Sequence, residues 1–547
     1  MMRNNKSYER GITLIALVVT IIILLILAGI SINMLTGQNG ILNRAKETKS
    51  ETEIASKNER KELLEMEELI NESQEGTNVK QAVDANPGTL EGEGTEDNPY
   101  VINSIEDLIY FAYDVRNGNT YDGKIVTLGL NLDFNSSKSY IDAFRTDYAE
   151  YGYDGELKTL LTTGEGFKSI GTITPYSEGK QYSFAGTFDG NNKIIYNLYL
   201  NKKTANSSSI GLFGSNYGTI KNIQIFNSNL FIDNTSTTFF GGIVGYNYNN
   251  IVNCKIRGNI KFNGSGFLII GSITGRNDEN SLIDSCQSNV NISGTNNNNC
   301  RIGGIYGDGS GVIENCYNMG NILSNTNGAE NALGGIGGVG SSIIQKCYNI
   351  GNITGINKLN GVSVGGIQGG AATIVNCYNK GDIVSSSNGE NNNAHASGIG
   401  ISGEVTNCYN SGKINANSSG KYSRAAGISL NGKANNCYNM GNIKATGANI
   451  TEINIGGIIS LNGTSTNCYN IGTIQLEGGN VQKIGGIIGG SGTIIQCAYW
   501  SQTAEKGMDD GTDTATRIES IDNMPDILEI LGNEFKEDTN NGYPILN

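Results

Sequence analysis

The chain has 547 residues, of which 38 are Lys or Arg and 52 are Asp or Glu, so its formal net charge is −14. This excess of negative charge disfavours electrostatic binding to nucleic acid. The chain has a single histidine, His395, and its ten cysteines include no Cys-x-x-Cys pair. These counts argue against a zinc site, and we expect no metal and no cofactor.

The N-terminus carries a membrane signal. Residues 1–11 form a short basic leader, and residues 12–32 form an uncharged apolar run of 21 residues, long enough to cross a bilayer as a helix. A basic flank is expected to stay in the cytoplasm. The simplest interpretation is therefore an uncleaved, single-pass anchor with the C-terminal part of the chain outside the cell.

The segment RGITLI at residues 10–15 resembles a type IV prepilin leader. The resemblance implies cleavage between Gly11 and Ile12, with the apolar segment kept as the start of a long helix. That family carries glutamate at the fifth mature position, where this chain has Ala16. The departure argues against efficient pilus assembly, and it leaves a simple anchor and pilin-like processing as alternatives.

The apolar run is followed by a predicted stalk and a linker. Residues 33–72 combine helix-forming composition with opposite charges at helical spacing, which predicts a solvated helical stalk. Residues 73–98 contain Pro87-Gly88 and several further glycines, which predicts a linker.

Residues 99–183 are predicted to form a small N-terminal cap that contains a helix. Ser104 and Asp107 have the spacing of a capping box, and Gly118 is placed to end the helix after about Asn117. Residues 125–132 have the composition of a strand. Such a cap would cover unpaired strand edges at the open end of a repeat domain.

The central region, residues 184–500, repeats with a period of about 30 residues. The word Cys-Tyr-Asn-x-Gly occurs six times, and several units open with Gly-Gly-Ile. The units lack a helical stripe and are rich in Gly, Asn and β-branched residues, which predicts short strands in stacked coils. We therefore expect an all-β fold, a right-handed parallel β-helix of roughly eleven coils with small α-containing caps.

The repeat unit resembles the GLUG repeat of bacterial surface proteins, which has a Gly-Gly-apolar opening, a Gly-Thr-Ile-like strand and an Asn-Cys-Tyr close. Residues 485–497 (GGIIGGSGTIIQC) show the pattern clearly, and the resemblance covers about 300 residues. It implies a parallel β-helix at the cell surface, usually in an adhesin-like protein. Some GLUG proteins carry a zinc peptidase domain, but this chain has no His-Glu-x-x-His.

Nine cysteines share one position in successive units, and upstream units have Ile223 or Leu198 there. A position that accepts Cys, Ile or Leu is a buried apolar position, and stacked β-carbons at ~4.8 Å exceed the ~3.5–4.5 Å separation of a relaxed disulfide. A reduced core ladder and some disulfide pairing both remain possible; the ladder predicts that Cys377→Val stays closer to wild type than Cys377→Ser. Cys300 is out of register and is expected to be exposed. The nine ladder positions are Cys254, Cys286, Cys316, Cys347, Cys377, Cys408, Cys437, Cys468 and Cys497.

The tyrosine after each cysteine of the repeated word should point outward, and the asparagine after that should point inward to bond with its neighbour in the next coil. The tyrosine column has two interpretations. It either stabilises one face of the coil, or it forms a flat aromatic platform for sugars or a partner protein. The six tyrosines are Tyr317, Tyr348, Tyr378, Tyr409, Tyr438 and Tyr469.

Residues 501–547 are predicted to form a C-terminal cap with a helix near residues 523–531. Asp509, Asp510 and Asp513 form an acidic loop that is either solvated or a calcium site, although it lacks the spacing of a known calcium loop.

No catalytic constellation is present in the sequence, so we expect a protein that is not an enzyme. The leading hypothesis is a membrane-anchored adhesin or structural binding module, with carbohydrate, host matrix or pilus-like components as partners. A minor pilin or pseudopilin-like subunit carrying a β-helix is the alternative. A polysaccharide-active enzyme is a third hypothesis, motivated only by the use of β-helices in such enzymes.

Overall fold

The computed structural model describes residues 90–134, 166–171, 180–389, 392–447, 450–519, 527–536 and 543–547. These residues belong to one compact unit, Pro87–Asn547. Tyr317 pairs in parallel with Tyr348, and Tyr348 pairs with Tyr378, so these coils are 31 and 30 residues apart. The predicted all-β parallel solenoid is confirmed, and its right-handed winding stays a prediction.

Three parallel sheets, called A, B and C here, run along the solenoid. Sheet A has 19 strands among the described residues. They are Tyr100–Ile102, Ile125–Leu128, Thr187–Asp189, Phe213–Asn216, Thr219–Lys221, Val244–Asn247, Asn250–Val252, Thr274–Asn277, Leu282–Asp284, Tyr306–Gly309, Val312–Glu314, Gly337–Val339, Ile343–Gln345, Gln368–Val375, Gly400–Thr406, Gly432–Asn435, Gly463–Thr466, Ile488–Ile495 and Met508–Asp510.

Sheet B follows sheet A in each coil. Its strands are Leu132–Asp133, Ile194–Tyr196, Tyr199–Thr204, Gln224–Asn234, Lys255–Gly264, Gln287–Asn296, Tyr317–Asn318, Ile322–Thr326, Tyr348–Asn349, Ile353–Asn357, Tyr378–Asn379, Ile383–Ser387, Tyr409–Asn410, Ile414–Ser418, Tyr438–Asn439, Ile443–Gly447, Tyr469–Asn470, Ile474–Gly478, Ala498–Trp500 and Thr516–Ile518.

Sheet C closes each coil. Its strands are Ser208–Ile210, Thr238–Gly241, Leu268–Gly271, Cys300–Gly303, Asn331–Gly334, Val362–Gly365, Asn393–Ser397, Tyr422–Ala426, Glu452–Gly456 and Val481–Gly485.

The solenoid has about ten complete coils, since sheet C has ten strands in the described part of the chain. The eleventh coil begins with Ile488–Ile495 in sheet A and Ala498–Trp500 in sheet B. A turn then leads back to Met508–Asp510 in sheet A, so this coil has no strand in sheet C. The expected count of roughly eleven therefore includes one incomplete coil.

Ten successive coils turn from sheet A to sheet B through a residue with positive φ. These residues have φ between 50 and 57, a region in which asparagine is tolerated better than most side chains. Successive asparagines of this column also bond to one another, as Asn436 Nδ2 does to Asn407 Oδ1 at 2.9 Å. The column consists of Asn222, Asn253, Ser285, Asn315, Lys346, Asn376, Asn407, Asn436, Asn467 and Gln496.

The predicted N-terminal cap helix is confirmed as Ile105–Arg116. The Asp107 N–H donates to the Ser104 hydroxyl at 3.1 Å, and the Asn103 N–H donates to the Asp107 carboxylate at 2.9 Å. Phe111 on this helix packs edge-on against Phe184 of the first coil, with 5.7 Å between ring centroids. The helix therefore covers the upstream end of the core. A 3-10 turn at Lys180–Tyr182 follows.

The C-terminal segment contains a helix at Leu528–Leu531 and an antiparallel pair of strands, Phe535–Lys536 and Ile545–Leu546. The helix matches the end of the predicted range; residues 520–526 lie outside the described residues. No helix in the described residues is long and apolar enough to cross a membrane. The predicted span at 12–32, the stalk at 33–72, most of the linker and the Gly11–Ile12 cleavage site also lie outside them.

Candidate functional site

The nine cysteines of the repeat lie buried in one column, and all ten cysteines of the chain are free thiols. Each thiol of the column also takes part in hydrogen bonding. The Cys377 thiol donates to the carbonyl of Val375 at 3.2 Å, and its sulfur accepts from the N–H of Cys347 at 3.3 Å. Burial raises the pKa of the Cys437 thiol well above its ordinary value. Each cysteine sulfur therefore forms hydrogen bonds with backbone groups next to the positive-φ turn between sheets A and B. It also fills apolar space in the core.

The expectation that Cys300 is exposed is wrong. Cys300 is fully buried, and it pairs with Leu268 and Asn331 in sheet C rather than with the cysteine column. Burial raises the pKa of its thiol to about 12. Cys300 is out of register with the other nine cysteines because it belongs to a different inward-facing column of the same core, on sheet C.

The asparagine of each repeated word is fully buried inside the bend of sheet B. Asn379 Nδ2 donates to Asn410 Oδ1 at 2.8 Å and to the carbonyl of Gly381 at 2.8 Å. The same bonds recur from coil to coil, so each side chain satisfies backbone groups of its own bend. This amide ladder comprises Asn318, Asn349, Asn379, Asn410, Asn439 and Asn470.

The tyrosines form a stacked column on the outer face of sheet B, called the tyrosine face here. Successive ring centroids are 4.7–5.0 Å apart, and successive ring planes differ by 2–9°. Each ring from Tyr348 to Tyr438 therefore has a tyrosine on both of its faces. These four rings present edges and hydroxyl groups outward, which is unsuited to a sugar that stacks on a ring face.

The downstream end of the tyrosine face is covered by the C-terminal segment. Tyr438 and Tyr469 are 4% and 0% exposed, and Phe535 packs on both with centroid distances of 6.2 and 5.9 Å. The Tyr469 hydroxyl donates to the carbonyl of Pro544. Leu531 completes this small second core.

The upstream part of the tyrosine face is partly open. Tyr317, Tyr348 and Tyr378 are intermediate in exposure, and Leu323 and Ile350 of the same coils are 46% and 42% exposed. Burial and the neighbouring Tyr348 phenol raise the pKa of Tyr378 to about 12. An apolar surface with a row of hydroxyl groups thus extends upstream from the covered part.

A second feature, which sequence reasoning missed, lies outside the solenoid at the junction of sheets C and A. In the upstream coils this junction is filled by large side chains. Phe239 of sheet C meets Tyr246 of sheet A, and the Arg276 guanidinium lies 5.4 Å from both ring centroids. In the next coil Arg301 bonds Asp308 at 2.8 Å.

In the coils that follow Arg301, small residues leave the junction open. A cavity of about 310 Å³, called the C–A cavity here, is lined by residues of both sheets. Its size comes from Ala, Ser and Gly at positions that hold Phe, Ile or Arg upstream. The lining includes Glu330, Ala332, Val339, Ser363, Gly370 and His395.

His395 forms one end of the C–A cavity in its neutral state. The Arg424 guanidinium lies 3.3 Å from Nε2, and because a guanidinium only donates, Nε2 accepts. The proton is therefore on Nδ1, which lies 3.4 Å from the Ser363 hydroxyl. Burial, followed by the charge of Arg424, lowers the His395 pKa to about 3.

The acidic loop expected near Asp509 is a backbone-bonded turn. The two Asp513 carboxylate oxygens accept from the N–H groups of Gly507 and Ala515 at 2.7 and 3.0 Å. Within the described residues, no group of three or more His, Cys, Asp or Glu side chains is placed to hold a metal ion.

Comparison with known proteins gives limited similarity, and no family model matches the chain. Halomucin of Haloquadratum walsbyi is 30% identical over 184 residues, which is 34% of this chain. The chain spans only 2% of halomucin's length. A crystal structure from Bacteroides ovatus, described as that of a “putative immunoglobulin A1 protease”, is 15% identical with a TM-score of 0.25, covering 83% of this chain and 94% of that one.

Proposed function

We propose that this protein is a surface-displayed binding module of the adhesin-like or structural kind, whose tyrosine face docks a partner protein. The observation that carries the proposal is the change along one column, from tyrosines covered by the chain's own C-terminal segment to tyrosines that are partly open. No catalysis is assigned to the chain in this proposal.

The chemistry of the covering segment indicates the chemistry of the partner. Phe535 and Leu531 pack on the downstream tyrosines, and the Pro544 carbonyl accepts from a tyrosine hydroxyl. The open tyrosines Tyr348 and Tyr378 offer the same ring edges and hydroxyl groups. We therefore expect an apolar peptide segment of a partner, with backbone carbonyls that reach the hydroxyl row, in preference to a sugar.

The proposed location is the cell surface, with the apolar run at 12–32 as the membrane anchor. The GLUG-like repeats support display outside the cell, and the RGITLI segment supports a minor pilin or pseudopilin-like subunit as the second candidate. N-terminal sequencing of the mature protein separates the two. A first residue of Ile12 supports pilin-like processing, and an intact N-terminus supports a simple anchor.

A binding array tests the tyrosine face. The full-length chain is applied to matrix proteins and, in parallel, to glycans. The double variant Tyr348→Ala/Tyr378→Ala should lose at least about tenfold in affinity for a bound protein, since aromatic anchors dominate interfaces. Tyr199→Ala, a partly exposed tyrosine elsewhere on sheet B, is the matched control and should bind as wild type.

The proposal fails if the double variant binds its protein ligand as tightly as wild type. It also fails if the array yields glycan ligands alone and their binding requires Tyr348 and Tyr378, because that result would make the tyrosine face a sugar site.

A further inference from the structure

We infer that the C–A cavity binds one neutral sugar residue at the end of a glycan chain. This site lies on sheets C and A, separate from the tyrosine face on sheet B, and it goes beyond the protein-docking role proposed above.

The volume fits a single ring. At about 310 Å³ the cavity is at the lower limit of ~300–1,000 Å³ that is typical of small-molecule sites. A longer ligand could not lie along the junction in both directions, because the neighbouring coils fill it. The Arg301–Glu330 ion pair, at 3.0 Å, stands on the upstream side, and the His395–Arg424 contact stands on the downstream side. The cavity therefore suits a terminal residue that enters from solvent.

The polar groups of the lining call for a ligand with hydroxyl donors. Asn393 Oδ1 is buried and has no hydrogen-bond partner among the described residues. The Ser363 hydroxyl lies on the same wall, beside His395. A buried acceptor without a donor is unfavourable in the empty protein, so a donating hydroxyl there would gain a bond that the unbound site lacks.

The charges of the lining argue for a neutral ligand. Glu330 is the acidic residue of the cavity, and it is already paired with Arg301. His395 is neutral near pH 7 because its pKa is lowered to about 3. A cationic ligand would compete with Arg301 for Glu330, and an anionic one would find no unpaired positive group in the lining.

The opposite wall, formed by sheet A, is apolar. Val339 and Ile401 contribute methyl groups there, and Ala332, which pairs with Ser363 in sheet C, adds another methyl group between the two walls. A pyranose ring matches this division, since it carries C–H groups on its faces and hydroxyl groups around its rim. Mixed walls of this kind, mostly apolar with a few placed polar groups, are the usual composition of a small-ligand site.

The test uses the purified full-length chain and five probes: glucose, galactose, mannose, N-acetylglucosamine and N-acetylgalactosamine. Binding is followed by saturation-transfer NMR, with dissociation constants expected on the order of 1 mM for so small a ligand. Ala332→Leu fills the cavity and should weaken the bound sugar at least about tenfold. Ser363→Ala keeps the packing, removes one hydroxyl and should weaken it about threefold to tenfold.

Thr354→Leu is the matched control, because it adds similar bulk to an outward position of sheet B and should leave sugar binding unchanged. The tyrosine variants Tyr348→Ala/Tyr378→Ala should also leave it unchanged, which keeps this inference distinct from the proposed function. Four results would overturn the inference: no probe binds, the sugar binds Ala332→Leu as it binds wild type, the control or tyrosine variants abolish binding, or n-butylamine displaces the sugar and binds more tightly.

Discussion

The two halves of sheet B both pair in parallel from coil to coil, but their strands differ. Upstream, Gln224–Asn234, Lys255–Gly264 and Gln287–Asn296 are continuous strands of 11, 10 and 10 residues. Downstream, each coil has a two-residue strand such as Tyr317–Asn318 and a five-residue strand such as Ile322–Thr326. Both pieces pair with the last long strand, so the sheet changes from straight to bent without losing register.

The buried column beneath this sheet explains the difference. Upstream the column consists of Ile225 and Ile256, and it passes through Ser288 to Asn318. In the bent coils the Asn318 side chain bonds both the carbonyl and the N–H of Gly320, at 2.8 and 3.2 Å. A straight strand needs no such help from a side chain. The comparison shows that the asparagine of the repeated word is structural, because it satisfies the backbone of a bend.

The largest loss of stability is expected from a substitution that fills the space beside the bend of sheet B. A β-carbon on Gly366 would lie 1.9 Å from the Gly398 carbonyl oxygen and 2.6 Å from Asn379 Cγ. We expect Gly366→Ala to lower the free energy of unfolding by about 3 kcal/mol through overpacking. At Gly361 the nearest atom would be 3.3 Å away, so Gly361→Ala is the matched control. Equal denaturation midpoints for the two variants would contradict the close approach.

A second test exchanges an amide and an apolar side chain between the bent and the straight part of the column buried beneath sheet B. Asn379→Leu leaves the Gly381 carbonyl and the Asn410 amide oxygen without their donor, and we expect a loss of about 2 kcal/mol. Ile256→Asn places an unpartnered amide beneath a straight strand and should be destabilising by a similar amount, about 2 kcal/mol. Urea denaturation measures both. If Asn379→Leu were neutral, the amide ladder would be dispensable and the bend would have another cause.

A third test uses the cysteine column, where the hydrogen bonds of the thiol lead us to expect the opposite order of stability for Cys377→Val and Cys377→Ser from that expected from the sequence. Cys377→Val removes an acceptor from the Cys347 N–H and should lower stability by about 1–2 kcal/mol. Cys377→Ser keeps a donor and an acceptor at that position, and we expect a loss of about 1 kcal/mol or less. Reductant should leave all three melting curves unchanged, since the thiols are free. A valine variant more stable than the serine variant would restore the purely apolar interpretation.

The smallest expected effect is a pH dependence of the tyrosine face. The Tyr378 pKa is raised from its ordinary value of 10 to about 12, so the folded state holds this proton more tightly than the unfolded state. This contribution to stability is fully present below pH 10 and is lost as the pH rises towards about 12. A difference titration of tyrosinate absorbance, wild type against Tyr378→Phe, measures it. A midpoint near pH 10 for this tyrosine would show that the stacked ring is not shielded.

The fold was predictable because its signals are local and repeated. The interval between cysteines defined the coil, Ser104 with Asp107 defined the cap helix, and Ile223 showed that the cysteine column is buried. The assignment of Leu198 to that column was wrong, because the pairing of Tyr199 with Asn229 places Leu198 opposite Ser228 within sheet B. The hydrogen bonds of the thiols were not predictable, since they depend on the distance between neighbouring coils. The exposure assigned to Cys300 was wrong because a residue outside one column can belong to another inward column.

The binding faces were only partly predictable. The outward direction of Tyr378 follows from side-chain alternation, but the cover over Tyr469 depends on Phe535, which is distant in sequence. The C–A cavity depends on Ala332 and Ser363 being small where two sheets meet. No periodic signal marks that junction, so it appears only when the coils are assembled.

The register that joins Tyr348 to both Tyr317 and Tyr378 also bears on how such a chain can evolve. Because each coil pairs only with the coil before and the coil after it, a tandem duplication of one repeat would insert a new coil between compatible neighbours. Each duplication would lengthen the solenoid by ~4.8 Å and add one tyrosine to the row. Unequal recombination between repeats would therefore change the reach of the protein and the number of its contact points together.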